Sequence, residues 1–136
     1  MNTNYWLNKI MNTMYVNSSD QFWVGLSSTV PKADGSNVTE PVGSDYSRVQ
    51  ITQFTASEEG FICNVEDLVF PKSSSIWFPS SAKAVCWVLF DGSDASAKVL
   101  GSGELAAHKT IEEDSRVTLE ARTLGITLTD YHADLV

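Results

Sequence analysis

The chain has 136 residues, 43% of them hydrophobic and 19% charged, with four Trp, four Tyr and six Phe. That length and aromatic content suit one domain, residues 1–136, whose core needs no metal or disulfide to hold it, and they exclude disordered and fibrous classes. The formal net charge is -8, from nine Lys and Arg against 17 Asp and Glu, and the basic residues are scattered, so no face is suited to nucleic acid or to an anionic membrane surface.

No segment approaches the ~20 apolar residues of a membrane helix. The opening "MNTNYWLNKIMNTMY" lacks a basic region ahead of an apolar run, so no signal peptide is expected. A chain made without an export signal is expected to stay in a reducing cytosol, which keeps Cys63 and Cys86 as thiols, a single intrachain bridge being the alternative.

In chain order, residues 3–15 place Trp6, Leu7, Ile10, Met11 and Met14 at helical spacing, with Thr3 as a candidate cap. This short amphipathic helix either covers one end of the core or packs against another subunit. "QFWVGLS" then reads as a strand, and residues 25–49 follow as a long run of Gly, Ser, Pro, Asp and Asn. "YSRVQIT" alternates as a strand, and "GFICNVEDLVF" gives one or two more. "AKAVCWVLFD" is apolar on both faces, which predicts a central, doubly buried strand. "DGSD" reads as a hairpin turn into "AKVLGSGEL", and "SRVTLEA" and "LGITLTD" close the series. About seven to eight short strands without helical periodicity between them predict an all-β fold, an antiparallel β-sandwich of jelly-roll-like or Ig-like type with one N-terminal α-helix.

The tests for chemistry come out empty. "GLSSTVPKADGSNVTE" has neither phosphate-loop spacing, and "GSG" at 101–103 reads as a turn or bulge and lacks the nucleophile-elbow spacing. His132 falls in the C-terminal tail and His108 in an expected loop, and no positioning group frames a Cys–His pair with Cys63 or Cys86. The acidic clusters Glu58-Glu59, Glu66-Asp67 and Glu112-Glu113-Asp114 suit a solvated rim better than a glycosidase pair. "DGSNVTE" and "DGSDAS" carry oxygen ligands but not the full calcium-loop pattern, and turns account for both. Two Cys and two His without paired spacing give no zinc set. No catalytic residue, cofactor or metal is therefore assigned. In "FPKSSSIWFPSS", Trp77 and Phe78 stand in a Ser/Pro-rich loop, where they either stack on a glycan or partner or fold back to cap the core.

The order of short motifs carries more. "VGLSST-P-DGSNVTEP-G--Y-RV" within 24–49, "FP-S-S-W" at 70–77, "LFD" followed by "LGSGEL" at 100–105, and "ITLTD" at 126–130 together resemble small bacteriophage virion proteins described as tail-fibre or tail-fibre-like structural proteins. The resemblance runs over about residues 5–130. The sequence departs from it at Phe78-Pro79 and in its more highly charged closing segment. It implies a β-domain of the virion with no catalytic residues to carry over. The chain lacks the repeats of a fibre shaft, which favours a compact module in an assembly.

The expectation is a non-enzymatic virion structural protein working through protein–protein assembly, as a homo-oligomer or docked on other virion proteins. Trp6, Ile10 and Met14 of the helix, and Asp34, Asn37, Pro41 and Tyr46 of the long loop, form the expected interface. The alternatives are a capsid decoration or head-fibre protein, and a carbohydrate-binding module that meets a host surface glycan through Trp77, Phe78 and Tyr46. A small hydrolase using the acidic pairs is a third.

Overall fold

A computed structural model describes residues 2–43 and 45–128. The expected helix begins as predicted but ends early. Helix α1 spans Asn4–Met11, with the Thr3 hydroxyl accepting from the Trp6 amide at 3.3 Å. A π-helical turn, Asn12–Val16, completes the segment, closed by the Asn17 amide on the Asn12 carbonyl.

All the strand pairs are antiparallel. β1 (Phe22–Ser27), β2 (Val49–Ile51), β5 (Ala84–Phe90) and β6 (Val99–Lys109) form one sheet in the order β2-β1-β5-β6. β3 (Phe61–Cys63) pairs with β8 (Gly125–Thr127), and β4 (Leu68–Val69) pairs with β7 (Thr118–Leu119), as two separate two-stranded ribbons. The expected final strand through residue 130 is thus shorter, and its last residues and the tail with His132 lie outside the described ones.

β5 is central, and all its residues but Val85 are buried, as its two apolar faces required. Cross-strand register places Val24 opposite Leu89 and Leu26 opposite Trp87. These four face a cluster that the ribbons and loops complete with Ile62, Leu68, Phe70, Trp77, Leu119 and Leu124. Gly25 opposite Val88 and Ser27 opposite Cys86 point to the other face.

The long loop lies along that second face, with Glu40 and Tyr46 against Gly25, and Val88 and Cys86 are buried there. The Ser27 hydroxyl accepts from the Thr39 amide at 3.0 Å, and the loop tip brings Gly35 beside Val99. β2 is shorter than the alternation of "YSRVQIT" predicts. Its pairing with β1 ends at Val24–Val49, and the Tyr46 hydroxyl then accepts from the Leu26 amide at 3.3 Å. A side chain replaces the missing strand partner.

Candidate functional site

Three sides of α1 have three different fates. Leu7 and Met11 enter the core. Asn8 and Asn12 face the turn at 57–60. The Asn8 side-chain Oδ1 accepts from the Ser57 hydroxyl at 2.9 Å and the Gly60 amide at 3.0 Å, and the Asn12 Oδ1 accepts from the Ser57 amide at 2.8 Å. The third side carries Trp6, Ile10 and Met14, one turn apart. Trp6 is 47% and Met14 56% exposed, with Lys9 placed 5.9 Å from the Trp6 ring centre. These three are the expected interface residues of the helix, and the structure sets them on one flank.

That flank borders a groove of about 360 Å³ between α1, β6 and the end of β8. Ile10, Met14, Leu100, Gly101 and Leu128 wall it, Trp87 and Leu89 lie beneath, and no lining residue is charged. Sequence reasoning passed over this groove. The "GSG" at 101–103 is not a turn but part of β6 beside a bulge, the other reading given for it, and its glycines were the one signal available. β6 is irregular on both sides of it: from Glu104 to Lys109 it advances five residues against two of β5, and from Val99 to Gly101 two against one, a bulge at Leu100. His108 accordingly lies in β6 rather than a loop, 2.9 Å from the Glu104 carboxylate.

The long-loop residues divide. Asp34 is exposed, and its carboxylate accepts from the Ser36 amide and hydroxyl in a tight Asx turn. Those bonds, the hydroxyl first, hold its carboxyl below the usual carboxylate range. Asp94 makes the same turn with Ser96. Asn37 is exposed at φ 65°, and its amide donates to the Val30 carbonyl at 2.9 Å. Pro41 is buried and Tyr46 partly buried against the core. Tyr46 stacks against Phe70 and meets Trp77 edge-on at 5.3 Å. Its hydroxyl donates to Glu40, and burial, reinforced by that carboxylate, pushes its ionisation up.

Glu40 also takes a two-pronged bond from Arg48, at 2.6 Å and 3.1 Å. The other side of the guanidinium donates to the Gly92 and Asp94 carbonyls and lies 3.6 Å from the Phe90 ring centre. Burial disfavours the Arg48 charge, but the Glu40 bonds and charge outweigh that and raise its proton affinity. This cluster fastens the loop to the sheet.

Of the two readings given for Trp77 and Phe78, their burial matches the one in which the loop folds back on the core. They are 0% and 1% exposed, in the core rather than on a contact loop. The Ser/Pro-rich backbone around them is tied inward. The Trp77 indole N–H donates to Asp45 at 3.1 Å, its amide to the Ile111 carbonyl, and its carbonyl accepts from Val42. A glycan reading built on Trp77, Phe78 and Tyr46 finds the first two inside the core and the third partly buried.

Among the described residues no group of three His, Cys, Asp or Glu is arranged to hold a metal. Cys63 and Cys86 are both free and buried, and burial raises the Cys86 thiol. No helix of the described residues is long and apolar enough to cross a membrane.

Residues 1–127 match the family described as podophage GP4 fiber I protein gp80. The chain belongs to this phage fibre protein family. No curated protein matches it.

Proposed function

We propose that this fibre-family protein is a non-enzymatic structural subunit of the virion, docking on its neighbours through the apolar flank of α1 and the adjoining groove. One observation carries the proposal. Trp6 and Met14 stand exposed beside an uncharged hollow, on a chain whose other large aromatics are mostly buried. Exposed apolar surface of this kind marks interaction sites, and Trp is a common anchor of interfaces. The chain works as one β-domain, the four-stranded sheet and the two ribbons serving as the layers of a sandwich over the shared core. The outer turns at Asp34 and Asn37 form a second contact surface for other virion proteins.

The assay is mass spectrometry of purified particles from phage carrying the wild-type chain or the pair Trp6→Ser and Met14→Ser. The wild-type chain is expected in particles, and the double variant is expected in the lysate at normal level but absent from particles. A wild-type chain missing from particles, or a variant that incorporates normally, overturns the proposal.

A further inference from the structure

Glycine inside a strand weakens it, and a strand glycine often marks a place where another group approaches closely. Most of the eight glycines have a reason within the chain. A Cβ at Gly103 would fall 2.4 Å from the Trp87 ring, one at Gly125 2.7 Å from Phe61, and one at Gly25 2.6 Å from the Tyr46 hydroxyl. Gly35 and Gly60 adopt positive φ. Gly101 stands next to the β6 bulge at Leu100, where two residues of β6 pass one of β5, and a Cβ there meets nothing within 4 Å.

The space it leaves open is the groove, about 360 Å³. A cavity of about 150 Å³ is enough for benzene, so an indole fits. The same face supplies an indole, because Trp6 lies one helical turn before Ile10 in the groove wall. A projection and a hollow on one face are what a two-fold contact between identical chains requires. Charge selects the same place. No residue lining the groove is charged, while the chain as a whole carries -8, so two copies meet here without bringing carboxylates together in the hollow. β6, whose Leu100–Ser102 stretch forms one wall, is also the sheet edge that no other strand pairs among the described residues.

We infer that a second copy of this chain docks on this face across a two-fold axis, each Trp6 indole seated over Gly101 of the other copy. The inference rests on the assembly face proposed above and names its occupant. Sedimentation of the purified full chain at about 100 μM, with dilution to obtain Kd, tests it. The expected mass is twice 14.9 kDa. Gly101→Ile fills the hollow with a strand-favouring residue, and Trp6→Ser removes the projection from an exposed position. Each is expected to raise the dimer Kd by at least about tenfold while leaving the circular dichroism of the wild type, and its Tm at a dilution where both chains are monomers. A wild-type monomer, a mass other than the doubled one, or a Gly101→Ile chain that folds and still dimerises like the wild type overturns the inference. Particle incorporation reads separately. A monomeric wild-type chain that enters particles through Trp6 and Met14 sinks self-pairing and leaves the virion role standing.

Discussion

Glu40→Ala removes the group on which the Arg48 cluster depends. In the variant the Arg48 Nε and Nη2 lose their acceptors, the guanidinium keeps only the Gly92 and Asp94 carbonyls, and the Tyr46 hydroxyl loses its acceptor. Breaking a fully buried ion pair costs about 3–5 kcal/mol and an exposed one about 0–1 kcal/mol. The Arg48 and Glu40 side chains are 10% and 22% exposed, which places this pair between those limits. The expected loss is about 2–3 kcal/mol, or roughly 10 °C in Tm for a domain of this size. Urea unfolding of Glu40→Ala, Arg48→Met and the Glu40→Leu/Arg48→Met double variant measures it. The double variant is expected to lose less than the sum of the singles, because neither charge is left without its partner. A single-variant loss below about 0.5 kcal/mol, or simple additivity, refutes the claim that this pair fastens the long loop to the sheet.

Asn64 is fully buried, with its amide donating to the Glu66 and Glu120 carbonyls and its oxygen accepting from the Leu124 amide, so Asn64→Ala should cost about 2–3 kcal/mol in urea unfolding. A cost near zero would show that the 64–66 and 120–124 segments are held some other way. Trp77→Ala should lower stability by about 3–5 kcal/mol in the same assay, whereas an exposed contact residue would leave it unchanged. The Ser74 amide, then the Trp77 indole, hold the Asp45 carboxyl below its usual value, so the folded state binds that proton more weakly than the unfolded chain. Its stabilisation is therefore complete above the ordinary carboxylate pKa of about 3.9 and is lost as pH falls below it. The urea midpoint should drop across that window, and less steeply in Asp45→Asn; parallel curves would count against this role.

The sequence makes β1, β5 and the first half of β6 legible because their apolar runs are dense enough to outweigh their surroundings. Thr3 as the helix cap is legible for a local reason, since a hydroxyl three residues ahead of Trp6 needs no tertiary information. What fails is whatever depends on distant partners. Arg48 and Tyr46 alternate like strand residues, but Glu40 and the Leu26 amide draw them out of the ladder. Trp77 sits among Ser and Pro, yet Asp45 and Ile111, more than thirty residues away in sequence, turn its segment inward. The helix flank with Trp6, Ile10 and Met14 was readable from spacing alone. The hollow beside it was not, because it is made by a glycine in β6 and by the end of β8.

The central claim is that this flank is covered in the assembled virion. Hydroxyl-radical footprinting of intact particles against the purified Gly101→Ile chain measures it directly, read at Trp6 and Met14. The account predicts strong oxidation of both side chains in the isolated variant and protection of both in the particle. Equal oxidation in the two samples would contradict it.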